Sequence, residues 1–179
     1  MTVYVNKNGK VVGHVQGTSE IIDLNRPPGC QAVDDPPGDQ YYYSKGWIPM
    51  PSRPNGTSVF NYDIKQWIDP RTLDEIKDQK WTEIKSGRDS LEFGGFVFEG
   101  NVYDSDQVSQ GRIMGAAVAG VDQTWTLADN TTVELSASQL QQLYAALQAH
   151  IASVHERGRI ARQLIFEAET KEQVEEINL

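Results

Sequence analysis

The stretch TWTLADNTTVELSASQLQQLYAALQAHIASVHERGRIARQLIFEAET, residues 124–170, changes its hydrophobic period partway along. As far as Leu135, apolar and polar residues alternate around Asp129–Asn130, a pattern that is typical of a β-hairpin. Further on, the apolar residues recur every three or four positions, which indicates a helix. Ser136 and Gln139 have the spacing of a capping box. The stretch therefore predicts a hairpin followed at once by a long helix over about 136–169.

The apolar residues of this helix form a seam whose spacing alternates between four and three, as in a coiled coil. The seam runs without a slip through Leu140, Tyr144, Leu147, Ile151, Val154, Gly158, Ala161, Ile165 and Ala168. Its partner can be the chain's own core, a second copy of the chain or another protein. Because a core helix seldom keeps this register for so long, we expect association. The predicted interface residues are Leu140, Tyr144, Leu147, Ile151, Val154, Ala161 and Ile165.

Two shorter helical patterns precede the hairpin. Thr72 and Glu75 are spaced as a capping box for a helix over about 72–87. Ser105 or Asp106 can cap a second helix, which is short and rich in small residues. Between the two helices, a glycine-containing segment is typical of two short strands.

The first 69 residues have a different composition. Alternation on either side of Asn8–Gly9 predicts a hairpin over residues 2–15. Seven of the eight prolines fall within the next fifty residues, where they restrict strands to short or edge positions. We therefore predict an α+β fold with two parts. Residues 1–69 form a small β-rich module, and residues 70–179 form a domain with a central helix, a short mixed segment with the hairpin, and the long coiled-coil-like helix.

Charge and composition exclude several classes of protein. The formal net charge of -9 and the pI near 4.8 argue against binding to nucleic acid, which depends on clustered Lys and Arg. A single cysteine, Cys30, cannot form an internal disulfide and gives no support to a thiolate metal site. No segment approaches the roughly 18 apolar residues of a membrane span. We expect a protein that stays in the cytosol unless an assembly carries it out.

The sequence contains no coherent catalytic or metal-binding pattern. His150 and His155 are five residues apart on the predicted helix, which is wrong for joint chelation, and we interpret them as solvent-facing. Asp104 and Asp106 are spaced as in a calcium loop, but the loop's glycine and distal glutamate are missing, so helix capping is favoured. We predict no enzymatic activity, no metal and no cofactor.

An aromatic cluster in the first module allows two interpretations. It consists of Tyr41, Tyr42, Tyr43 and Trp47, flanked by glycine and proline. Exposed aromatic rings at a loop can stack on sugars or anchor a protein partner. Alternation along a strand would instead bury about half of them, and this structural interpretation is the favoured one.

In combination, these segments resemble a known group of proteins. The pieces are the helix ending in IKSGRD, the Asp-x-x-Ser-x-x-Arg-Ile stretch at residues 106–113, the Trp–Asp-Asn hairpin and the Ala-x-Thr-x-Glu phrase at residues 168–172. The chain is similar to phage tail accessory proteins, and residues 72–178 are similar to a tail-associated domain of unknown function in phages and prophages. Such proteins are called tail-fibre assembly proteins or chaperones, or are components of the tail or baseplate.

The resemblance implies a function in protein–protein assembly and supplies no catalytic residues. The expected function is that of a phage tail protein linked to the tail fibre, either a fibre assembly factor or a fibre-attached component. The alternatives are a structural subunit of the fibre, spike or baseplate that is retained in the virion, and a carbohydrate-binding receptor module. The expected partners are tail-fibre or baseplate proteins and further copies of the chain, with a trimer favoured by the threefold symmetry of fibres. The expected location is the virion tail, or the host cytoplasm during assembly.

Overall fold

The computed structural model describes all 179 residues, and the chain divides after Pro70 into two units, Met1–Pro70 and Arg71–Leu179. The predicted boundary lies one residue earlier. The first unit is built mainly from strands and the second mainly from helices, so the α+β class predicted from the sequence is confirmed.

The first unit begins with β1 (Thr2–Val5), β2 (Val11–Val15), α1 (Ser19–Leu24) and β3 (Gln31–Asp34). The three strands form an antiparallel sheet in the order β2-β1-β3. The central strand β1 supplies the buried residues Val3, Tyr4 and Val5. The helix α1 was not predicted from the sequence, because six residues are too few for a helical period to stand out.

Two short antiparallel hairpins complete the first unit: β4 (Tyr41–Tyr43) with β5 (Trp47–Pro49), and β6 (Val59–Asn61) with β7 (Gln66–Ile68). Their strands have three residues each, as expected for a proline-rich segment. Gly9, in the turn between β1 and β2, lies directly against the backbone of Tyr43, so the first hairpin and β4 pack closely.

The second unit consists of four helices and two hairpins. They are α2 (Leu73–Phe93), β8 (Phe96–Phe98), β9 (Asn101–Tyr103), α3 (Gln107–Ala119), β10 (Gln123–Thr126), β11 (Thr132–Leu135), α4 (Ala137–Glu167) and α5 (Lys171–Glu175). Capping boxes at Thr72, Ser136 and Thr170 start three of the helices. None of the helices combines the length and the hydropathy that crossing a bilayer requires.

Helix α2 is longer than predicted and ends at Phe93 rather than near residue 87. Gly87 lies inside it, where a glycine usually weakens a helix. A Cβ at this position would lie 2.9 Å from Cδ1 of Leu179, so the glycine lets the carboxy-terminal residue pack against the helix. Close packing by a distant residue is invisible to local sequence patterns, which explains the early predicted end.

Helix α4 is the centre of the second unit. Its first half packs against α3 and the two hairpins in one core cluster, and its second half packs against α2 and the carboxy-terminal segment in another. The larger cluster contains Phe96, Tyr103, Ile113, Ala116, Leu127, Leu135, Leu140, Leu143 and Leu147.

Candidate interaction surfaces

The seam of α4 faces the chain's own core. Leu140, Leu147 and Val154 are fully buried, and Ala161 and Ile165 are nearly so. Tyr144 and Ile151 are half-buried and pack against the larger core cluster. Of the three partners that the sequence left open, the structure places the chain's own core against the seam. The predicted interface at these seven residues is therefore corrected, because their side chains already stabilise the second unit.

The aromatic cluster of the first unit packs on itself. The rings of Tyr43 and Trp47 meet edge to face at 5.3 Å, and Tyr42 stacks on Phe60 at 5.6 Å. The indole nitrogen of Trp47 donates a 2.9 Å hydrogen bond to the carbonyl of Asp34. All four predicted aromatics, Tyr41 included, are half-buried. These contacts are those of a small aromatic core, and binding of a sugar by these rings remains a prediction.

Both histidines of α4 lie against the end of α2 and are half-buried, so the interpretation of them as solvent-facing holds only in part. Nε2 of His150 is 3.0 Å from the carbonyl oxygen of Leu91, and its ring stacks on Phe96. Nε2 of His155 is 2.9 Å from a carboxylate oxygen of Glu92. The two side chains thus bind the last turns of α2 to α4.

Of the acidic pair before α3, Asp106 caps the helix as the sequence indicated, and Asp104 does not. The Asp106 carboxylate accepts hydrogen bonds from the backbone amides of Val108 and Ser109 at 2.9 and 3.2 Å. The Ser109 hydroxyl and these amides lower the pKa of Asp106. Asp104 makes no hydrogen bond or ion pair and faces a groove described below. No group of three or more His, Cys, Asp or Glu side chains has a metal-binding arrangement.

Helix α3 has an uncovered apolar side that was not predicted from the sequence. One side of the helix is buried through Ile113, Ala116 and Ala117. The opposite side, here called the outer face of α3, consists of Val108, Gly111, Met114, Gly115 and Val118. Val118 is 82% exposed and Val108 is 61% exposed. The composition of the helix was the available signal for this surface, because only one of its 13 residues is charged. A helix with so few charges is usually covered by protein on all sides, whereas α3 is covered on one.

A groove of about 610 Å³ lies between α3 and the hairpin of β10 and β11. Five consecutive residues, 123–127, line one side of it. Ser109, Arg112, Gly115 and Ala116 line the other side, with Asp104 and Asn130 completing the lining. We call this feature the α3–β10 groove. It adjoins the outer face of α3, because Gly115 belongs to both.

Polar groups without partners converge on this groove. The guanidinium of Arg112 and the carboxylate of Asp104 form no hydrogen bond or ion pair, with each other or with any other residue. The indole N–H of Trp125 is likewise unbonded, whereas those of Trp47 and Trp67 each donate to a carbonyl. A groove with several unpaired polar groups beside an aromatic ring has the features of a binding site.

Comparison with known proteins shows the family. The sequence profile of the family described as domain of unknown function (DUF4376) matches residues 75–178, more than half of the chain, so the chain belongs to this family. The matched segment contains most of α2 and all of α3, α4 and α5, and with them the outer face of α3 and the α3–β10 groove. Neither a curated protein nor a solved structure matches the chain.

Proposed function

We propose that this DUF4376 protein is a phage tail protein linked to the tail fibre, and that it acts in protein–protein assembly as a fibre assembly factor or a fibre-attached component. It acts without an enzymatic step, in the virion tail or in the host cytoplasm during assembly. The proposal starts from the resemblance of residues 72–178 to tail-associated domains. Its structural support is the outer face of α3.

The outer face of α3 is a surface that favours contact with another protein. A helix with a single charge on thirteen residues, covered on one side only, leaves apolar surface in water. Complete burial of a side chain such as Val118 or Met114 stabilises a complex by roughly 1.5 to 3 kcal/mol. Gly111 and Gly115 project no side chain, and the space where a Cβ would lie is open at both, so a partner can approach the helix backbone.

Because the α4 seam is buried, the proposed interface is assigned to α3 instead. A seam that fills the core of the second unit is not available to a partner without unfolding that unit. We therefore assign both binding of the fibre protein and any self-association, such as the trimer favoured by fibre symmetry, to the outer face of α3. Under this assignment, the residues of the α4 seam stabilise the unit and those of the outer face of α3 bind the partner.

The test is light scattering coupled to size exclusion, on the chain alone and with the tail-fibre protein encoded next to it. Val118→Lys should remove the complex, because it places a charge in the apolar contact. Lysine suits this position, since cations are favoured in the last turn of a helix. Ile160→Lys is the control, because Ile160 is an exposed apolar residue on α4 and lies outside the outer face of α3.

Two outcomes contradict the proposal. In one, the wild-type chain is monomeric and does not bind the fibre protein. In the other, the Val118→Lys variant still forms the complex. Mass spectrometry of purified virions separates the two roles within the proposal. A fibre-attached component is present in fixed ratio to the fibre, whereas an assembly factor is absent from the mature particle.

A further inference from the structure

The residues that line the α3–β10 groove locate it along the free edge of β10. In a strand, successive side chains point to opposite faces, so a hollow over one face would be lined by alternate residues. Residues 123–127 all line the groove, without alternation. The groove therefore follows the edge of the strand, where backbone N–H and C=O groups are presented.

The hairpin register shows which backbone groups are free at this edge. The amide of Leu127 donates to the carbonyl of Thr131, and Trp125 is paired with Val133 two positions further along. Hydrogen-bonded pairs alternate with non-hydrogen-bonded pairs in an antiparallel ladder. Residues 123, 125 and 127 thus bond to β11, and Thr124 and Thr126 direct their N–H and C=O groups away from it. No backbone or side-chain group elsewhere in the chain bonds to these amides and carbonyls.

Within β10 this edge lacks the sequence features that usually protect a free strand, and the free stretch ends beyond Leu127, where the amide of Ala128 donates to the carbonyl of Val102 in β9. Exposed edges are commonly blocked by lysine, proline, a bulge or a covering element. The sequence of β10 is QTWT, with neither charge nor proline. Across the groove, α3 presents Gly115 and Ala116 near its carboxyl end, and the space beyond the Gly115 backbone is open.

We propose that the α3–β10 groove binds an extended segment of the partner polypeptide, which adds to β10 as a third strand. The five residues that line the edge span about 16 Å at the usual rise of roughly 3.3 Å per residue, so about five residues of the partner are held. Main-chain hydrogen bonds from Thr124 and Thr126 provide affinity, and the groove side chains provide selectivity, as in other cases of strand addition.

The charges of the groove define the chemistry of the bound segment. Arg112 is the only cation in the lining and has no partner within the chain, so the segment carries an acidic side chain opposite it. Asp104 is an unpaired carboxylate in the lining and accepts a hydrogen bond from a donor on the same segment. The inference rests on the proposed function, because the segment is assigned to the tail-fibre protein.

The test is amide hydrogen exchange, resolved by residue, on the full chain with and without the fibre protein encoded next to it. In the complex, exchange at Thr124 and Thr126 should slow by at least about tenfold, because new backbone hydrogen bonds form there. The amide of Trp125 is the internal control, since it already bonds within the hairpin and should change little.

A charge reversal tests the side-chain part of the inference. Arg112→Glu should weaken binding of the fibre protein at least about tenfold, because it opposes the acidic side chain of the bound segment. Arg112 is exposed and unpaired, so the variant should fold normally. Arg157→Glu makes the same change at an exposed, unpaired arginine of α4 and should leave affinity within about twofold.

The outcomes separate this inference from the proposed function. Slower exchange at both threonines, with loss of affinity in Arg112→Glu only, supports strand addition. A complex in which both amides exchange as in the free chain overturns the inference and leaves the proposed function standing. If the amides of Thr124 and Thr126 become protected in the chain alone at high concentration, the groove binds a second copy of the chain, and the inference is also overturned. If no complex forms, the proposed function fails and the inference fails with it.

Discussion

Replacement of Leu147 by alanine should destabilise the second unit without changing how the chain associates. Leu147 is 0% exposed and lies in the cluster that joins α4 to α3 and the hairpins. The change removes three carbon atoms from a fully buried side chain, a transfer loss of roughly 2.4 kcal/mol at about 0.8 kcal/mol per methylene. The cavity left behind adds to this loss, so the expected total is about 3 to 5 kcal/mol.

Urea unfolding followed by far-ultraviolet circular dichroism measures this effect. The long helices α2, α3 and α4 all lie in the second unit, so the helical signal reports on that unit. Leu164→Ala is the matched control, because it is the same change in the same helix at a residue that is 47% exposed. Its cost should be below about 1 kcal/mol, since little buried surface is lost. Light scattering should give the same mass for both variants as for the wild type.

The opposite pattern would refute this reasoning. If Leu147→Ala costs no more than Leu164→Ala and instead lowers the mass of an oligomer, Leu147 lies in an interface between chains and the seam is intermolecular. An acidic replacement is a poorer test, because a buried carboxylate would unfold the unit whichever surface the residue faces.

Two further predictions concern single residues. Gly9→Ala should destabilise the first unit more than Gly29→Ala does, as measured by thermal unfolding. Both glycines have positive φ angles, of 80° and 75°, but only at position 9 would the new Cβ clash with a backbone atom, the carbonyl oxygen of Tyr43. Burial raises the pKa of the Tyr103 hydroxyl above its usual value of 10.0, so the folded state holds this proton more tightly than the unfolded state. The stability that this proton contributes is complete below pH 10 and should be lost as the pH rises further. Above pH 10, the urea midpoint should therefore fall less steeply with pH for Tyr103→Phe than for the wild type. A Tyr103→Phe curve parallel to that of the wild type, or equal losses in the two glycine variants, would contradict these expectations.

The elements of the second unit could be predicted because their signals are local. The capping residues Thr72 and Ser136 mark where α2 and α4 begin, and Asp129–Asn130 marks the turn of the last hairpin. Asn130 has a φ of 66°, a conformation that asparagine tolerates better than most residues. Local hydrogen bonds and backbone preferences depend on a few neighbouring residues, so they can be predicted from a short stretch of sequence. The helix α1 was not predictable in this way, because it has neither a side-chain cap nor a buried face.

The width of the apolar stripe on α4 indicates which surface the seam contacts. A coiled-coil seam is a narrow stripe of two positions per heptad, whereas a core-facing helix has a wider apolar face. Leu143 lies outside the seam register and is nonetheless fully buried, and Ala146 packs against the same cluster. These two residues widen the stripe in the first half of the helix. The regular spacing was therefore compatible with a core helix, and width was the feature that distinguished it.

The location of the α3 surface, in contrast, required the structure. Its sequence has apolar or small residues on every side and a single charge, so no periodicity marks which side the chain itself covers. That choice is made by distant residues, because Ile113 and Ala116 pack with Leu140 and Leu143 of α4 and leave Val118 in solvent. Under the proposed function, stability and association reside on opposite sides of the same helix. A volume-conserving change in the core, such as Leu140→Met, should then preserve binding of the fibre protein, while Val118→Lys removes binding from a unit whose unfolding is unchanged.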